Sequence, residues 1–199
     1  MKAYLMRIAV LALGALYVAT APAQYPIRPI KLLVPIPAGG APDIVARVLG
    51  QKLAESMGQP LVVENRTGSN GNIAADLVAK SPADGYTLLL AQDSLITVNP
   101  HLYAKMPFDP LVDLVPVASI ASNQFLLSVH PSLPVKNLNE FIEYARRAKP
   151  PLAFASGGNG SLSHLSLEML KARAGIDFVH LPYKGGTPAA TATSRAKRW

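Results

Sequence analysis

Apolar runs alternate with amphipathic stretches along most of the chain. Residues 30–36 form an apolar run suited to a strand buried on both faces of a parallel sheet. Ile44, Val45, Val48, Leu49, Leu53 and Met57 follow at helical spacing on one face, and Gly58 stands where that helix should end. Residues 61–63 predict the next strand, 65–71 a turn-rich loop and 72–80 a helix. The turn Pro82-Ala83-Asp84-Gly85 then leads into a third strand at 86–91. Strand, helix, strand, helix, strand is the order of a parallel sheet with helices on its faces.

Beyond Pro100 the pattern becomes irregular, with three prolines between residues 106 and 116, before a second alternating block begins. Residues 125–129 predict a strand. Asn137, with Glu140 three positions on, makes a capping box. The helix it opens has Leu138, Phe141, Ile142 and Ala145 as its buried stripe, with Arg146 and Arg147 pointing outward. A strand at 152–155, a loop at 156–161, a helix to about residue 174 and a strand at 178–181 follow. Thr187 and Pro188 then form a helix start, as N-cap and first helical residue. Few residues remain before the basic ending Ser194-Arg195-Ala196-Lys197-Arg198-Trp199. The expected organisation is a first α/β lobe at 24–120 and a second at 121–199, both incomplete, with an aberrant tail from about residue 194.

Residues 1–23 have the composition of an export signal. Lys2 and Arg7 give the positive region, residues 8–18 the apolar one, and Ala21-Pro22-Ala23 a cleavage site before Gln24. The apolar run falls short of the roughly 20 residues a membrane-spanning helix needs. With no cysteine in the chain, neither a lipid-bearing thiol nor a disulfide is available. The expected location is the periplasm. The formal charge of +7 loses its meaning once partitioned: residues 24–193 carry fourteen basic groups against twelve acidic ones, a net of +2. No basic stripe with interleaved aromatics remains, so nucleic-acid binding is not expected.

Candidate chemistry lies at two strand-to-helix junctions. Pro37-Ala38-Gly39-Gly40-Ala41 precedes the first helix, and Ser156-Gly157-Gly158-Asn159-Gly160-Ser161 precedes a helix in the second block. Glycine admits a ligand close to the backbone, and a helix N-terminus offers unpaired N–H groups and a positive dipole end. Together they suit a small anion. Each loop also has a purely structural reading as a turn. Asp43 at the first helix start is a candidate ligand contact or a helix-terminus charge, and Gln92-Asp93-Ser94 ends the third strand on the same edge. Enzyme signatures are missing: no dinucleotide fingerprint, phosphate-binding P-loop or nucleophile elbow occurs, and the four histidines lack metal-ligand spacing. No cofactor and no metal are expected.

These residues carry a family resemblance. The stretches PIPAGGAPDIVAR (35–47), QPLVVENRTGSNGNIAA (59–75), DGYTLLLA (84–91), NPHLY (99–103), PSLPVKNLNEFIEYAR (131–146), SGGNGSLSH (156–164) and VHLPYKGGTPA (179–189) resemble the Bug (TctC-like) substrate-binding proteins of tripartite tricarboxylate transporters. The match extends from Tyr25 to about Ala190. It implies a periplasmic binding protein of the type II fold, two α/β lobes closing on a small carboxylate. The family's carboxylate grip, largely main-chain N–H groups of the first glycine loop, carries over to Pro37, Ala38, Gly39, Gly40 and Ala41. Polar groups of the second lobe carry over to Gly158, Asn159, Gly160 and Ser161, with His164 and Tyr183 less directly matched.

The resemblance also implies partners: a dicarboxylate, tricarboxylate or related acid, and the membrane components of such a transporter. A monomeric, non-enzymatic receptor is expected. Two departures stand out. Ala41-Pro42 replaces the hydroxyl-bearing residue usual after Gly-Gly and removes one N–H donor, and family members are considerably longer. A truncated, non-functional remnant of a receptor is therefore an alternative reading. An exported α/β hydrolase using Ser161 and His164 is a second one.

Overall fold

In a computed structural model, residues 24–122 and 124–195 are described. The expected export signal lies outside the described residues, as do residues 196–199 of the basic ending. The first sheet has three parallel strands in the order β2-β1-β3: β1 (Ile30–Val34), β2 (Leu61–Asn65) and β3 (Thr87–Leu89). Helix α1 (Ala41–Met57) connects β1 to β2, and α2 (Asn72–Ala79) connects β2 to β3. The crossover from β1 to β2 and the one from β2 past β1 to β3 run in opposite directions along the sheet, so the usual right-handed connection places their helices on opposite faces. Alternate side chains show it: Leu32, Val34 and Leu90 pack with Ala46 of α1, while Leu89 packs with Ala75 of α2, Leu95 and Phe108. Short helices α3 (Asp93–Thr97) and α4 (Asn99–Leu102) follow β3.

The second sheet pairs β4 (Leu152–Ser156) and β5 (Phe178–Pro182) in parallel, joined by α6 (Leu162–Ala174). Helix α5 (Leu138–Arg147) precedes it, and α7 (Gly186–Arg195) packs against β4. Phe141, Ala145, Leu167, Ala174, Ile176 and Phe178 form its core. Asn137 caps α5 by accepting from the Glu140 N–H at 3.0 Å, while the Glu140 carboxylate accepts from the Lys136 N–H at 2.8 Å. Arg146 reaches from α5 to the last turn of α6, donating to the Ala174 carbonyl at 2.8 and 3.2 Å. That cation offsets the negative end of the helix dipole. Gly58 and Gly175 end α1 and α6 in left-handed conformations.

Four sequence expectations change. Residues 125–129 form no strand: a strand requires a ladder partner, none lies beside this segment among the described residues, and Leu126 is 87% exposed. On α1, Asp43, Ala46 and Gly50 are the buried positions, whereas Ile44 and Val48 are exposed. Small residues let the helix approach β2 closely; a Cβ on Gly50 would come within 3.1 Å of the Leu61 side chain. On α5, Leu138 is exposed while Phe141 and Ala145 are buried. Helix α7 begins at Gly186, because Gly185 turns the chain at φ +119° just before it, so Thr187 lies inside the first turn rather than capping it.

Phe178 contacts two aromatic neighbours, stacking on Phe141 at 5.8 Å between ring centroids and tilting against Phe154 at 6.2 Å. Phe178→Ala is expected to destabilise the second sheet by about 3–4 kcal/mol through lost burial and cavity formation. Hydrogen exchange is the measurement: protection should fall in β4, β5 and α6 while β1 keeps its own.

Candidate functional site

Parallel strands bring their carboxyl ends to one edge. On the first sheet that edge carries the loops after β1 (residues 35–40), β2 (66–71) and β3 (90–92). Because the chain leaves β1 toward β2 and later arrives at β3 on the other side, the first and third loops flank a topological switch point, where open α/β sheets take their ligands. Pro37, Ala38, Gly39, Gly40 and Ala41 occupy the first, and Gln92, Asp93 and Ser94 the third. Ser94 is buried, and Asp93 turns its carboxylate back to the Ser94 N–H at 2.9 Å.

The first loop is shaped by one carboxylate. Asp43 is 2% exposed, and both of its oxygens are fully engaged. Oδ2 accepts from the Gly39 N–H at 2.9 Å and Arg47 Nε at 3.0 Å; Oδ1 accepts from Asn65 Nδ2 at 2.8 Å and Arg47 Nη2 at 3.1 Å. Asn65 Nδ2 also donates to the Ile36 carbonyl at 3.0 Å. Asp43 thus turns inward and ties the loop to α1 and to the end of β2. Gly39, at φ +82°, gives up its donor to this tie, and the Gly40 N–H makes a long 3.4 Å bond to the Pro37 carbonyl. Among the described residues the N–H groups of Ala38, Ala41 and Asp43 have no bonded acceptor. They sit at the positive end of a 17-residue helix. Pro42 lies in the first turn, where its missing N–H removes no intrahelical bond.

The second glycine loop is largely self-satisfied. Gly157 N–H donates to Ser163 Oγ at 3.0 Å, Gly158 N–H to Ser156 Oγ at 3.1 Å, and Gly160 N–H to His164 Nδ1 at 3.1 Å. The Ser161 N–H and hydroxyl both donate to the Gly158 carbonyl, at 3.2 and 2.7 Å. Ser161 Oγ in turn accepts from the His164 N–H at 3.3 Å, as the N-cap of α6. The imidazole of His164 is directed to Gly160 and toward Glu168, 3.8 Å away, rather than to the Ser161 hydroxyl. Nothing in this arrangement activates Ser161 as a nucleophile. Asn159 is exposed at the tip, and Tyr183 binds the loop through its main chain, donating to the Ser156 carbonyl at 3.0 Å.

Two groups of residues escape the sequence reading. His180 stacks on His164, with ring centroids 4.0 Å apart, and lies 2.6 Å from the buried Ser156 Oγ. Burial first, and the adjacent His164 second, push His180 below the ordinary histidine range, and its contact with Ser156 Oγ pins the base of the loop. The other group is the loop after β2, where Ser69 and Asn70 adopt left-handed φ of 47° and 50°. Asn70 Nδ2 donates to Oδ1 of the buried Asn99 at 2.6 Å, and Asn99 Nδ2 donates to the Asn70 main-chain carbonyl at 3.1 Å and to Asn72 Oδ1 at 2.6 Å. Strained non-glycine residues at a strand edge are a site signal, but it exists only in dihedral angles. The resemblance motif at 59–75 contains these residues without marking them.

The Arg47 side chain first, then the Gly39 N–H and Asn65, hold the Asp43 carboxyl at about 2, below its ordinary 3.8. A depressed carboxylate stabilises the fold above its unfolded pKa, and that contribution is lost as pH falls through the folded value. Asp43→Asn should therefore cost about 1–2 kcal/mol at pH 7, allowing for solvent around the half-exposed Arg47. The deficit should shrink between about pH 4 and pH 2, as read from urea unfolding midpoints across that range.

Residues 45–197 match the family model described as tripartite tricarboxylate transporter family receptor. Protein BugT of Bordetella pertussis is 42% identical over 166 residues, 83% of this chain and 51% of BugT. The R. palustris protein Rpa4515 with adipate superposes with a TM-score of 0.81 at 40% identity, covering 85% of this chain and 56% of its own. MatC from Rhodopseudomonas palustris with bound malate gives 0.77 at 32% identity, covering 85% and 57%. The chain spans about half the length of the curated relatives it matches. Its mixed α/β architecture is that of the family's periplasmic binding proteins. The chain belongs to the tripartite tricarboxylate transporter receptor family, the TctC or Bug proteins.

Proposed function

We propose that the chain is an extracytoplasmic solute receptor, or a portion of one, that captures a small carboxylate and presents it to the membrane components of a tripartite tricarboxylate transporter. The observation that carries this reading is the set of open N–H groups of Ala38, Ala41 and Asp43 at the start of α1. They suit one carboxylate group: unpaired donors within one turn of a positive helix end, beside a glycine-lined approach. Relatives solved with adipate and with malate support a dicarboxylate as the class of solute. Residues 24–120 and 121–199 act as the two lobes, and the solute lies between the glycine loops. The second lobe covers it through the loop Gly158, Asn159, Gly160 and Ser161, with His164 and Tyr183 beside that loop. The receptor works in the periplasm as a monomer, reached by way of the export signal, and performs no catalysis.

Thermal unfolding in the presence of adipate, malate and a tricarboxylate tests this reading. A bound solute at a hundredfold excess over its Kd adds about 2.7 kcal/mol of stability. The neutral diamide of the best acid should add none, since the open donors select an anion. No stabilisation by any of the acids would overturn the proposal.

A further inference from the structure

The two sheets meet through glycines. Gly160 is buried at φ +74°, and a Cβ built on it would overlap the Leu102 side chain of α4. Leu102 belongs to the first sheet's helices and Gly160 to the second sheet's loop, so the missing Cβ is the hollow that Leu102 enters. At the same point Asn70 Nδ2 donates to the Gly160 carbonyl at 3.3 Å. Its other amide bond, 2.6 Å to Asn99 Oδ1, and the burial of Asn99 fix the direction from which it reaches. A second crossing repeats the logic. A Cβ on Gly185 would stand 3.0 Å from Pro37 Cδ, and one on Gly40 would stand 3.5 Å from Thr187 Oγ1.

We propose that Gly160, Leu102 and Asn70 form a closure latch that sets how closely the two glycine loops approach. Leu102 is the bolt, the space above Gly160 is the socket, and the Asn70 amide on the Gly160 carbonyl fixes the register. Hinged two-lobe proteins close as nearly rigid bodies, so one steric contact near the mouth governs the whole approach. A side chain at position 160 wedges the lobes apart. These residues position the site rather than touch solute. The inference rests on the two-lobe receptor reading for its effect on binding, but not for the contact itself.

The absence of cysteine allows clean spin labelling of the full chain at Ser56→Cys on α1 and Arg173→Cys on α6, both exposed. The inter-label distance is measured without solute. Gly160→Ala should shift the most populated distance, and Gly160→Ala with Leu102→Ala should return it. Alanine at φ +74° also carries backbone strain, which removing Leu102 cannot relieve, so the rescue separates wedge from strain. Leu102→Trp, made on a half-exposed side chain of a short helix, should shift the distance in the same sense without touching Gly160. An unchanged distance in Gly160→Ala or Leu102→Trp, or a double variant that stays displaced, would overturn the latch. Titrations of the unsubstituted chain with adipate, malate and a tricarboxylate, beside the distances in the variants, separate the two proposals. A distance shift in the variants, with no binding of adipate, malate or a tricarboxylate by the unsubstituted chain, leaves the latch standing and removes the receptor reading; binding by the unsubstituted chain with unmoved distances in the variants does the reverse.

Discussion

A single buried carboxylate organises the mouth of this protein. Asp43 accepts four hydrogen bonds from three residues: the Gly39 main chain, the Asn65 amide and two nitrogens of Arg47. An unpaired charge at that depth would be strongly unfavourable, so the carboxylate demands these partners and fixes their positions. The result ties together the loop after β1, the first turn of α1 and the end of β2. It also decides which donors remain. Gly39 is committed to Asp43, whereas Ala38 and Ala41 stay open.

The two glycine loops look alike in sequence and differ in physical role. In the first, the tie comes from a side chain four residues downstream and leaves part of the backbone unpaired. In the second, Ser156, Ser163 and His164 absorb the N–H groups of Gly157, Gly158 and Gly160. A loop whose donors are already paired offers shape and a rigid surface more than charge complementarity. Under the proposed receptor function, that division suits an anion held from one side and covered from the other. His164 stacks on His180 and accepts from the Gly160 N–H, while the Ser156 hydroxyl links His180 to the Gly158 N–H, so both rings brace this second loop.

Much of the fold was legible because its causes are local. The capping box at Asn137 and Glu140, the helix stops at Gly58 and Gly175, and the strand-helix alternation each depend on residues a few positions apart. Legibility failed where a partner far along the chain decides the outcome. Residues 125–129 have strand composition, yet among the described residues no strand lies beside them to complete a ladder. Ile44 and Val48 share helical spacing with Leu53, yet the close approach of Gly50 to Leu61 rotates Ala46 and Asp43 inward instead.

Local sequence was enough for the parallel α/β order, the placement of both glycine loops at strand-to-helix junctions, and the family. These follow from periodicity, turn chemistry and motif spacing, all written in neighbouring residues. Tertiary structure alone decided which backbone donors are free, that Asp43 faces inward, and that Gly160 makes room for Leu102. Those outcomes depend on pairs such as Asp43 with Asn65, or Asn70 with Gly160, that folding brings together from 22 and 90 positions apart. A hydrogen bond is allocated by proximity in space, and no local pattern records where a distant partner will arrive.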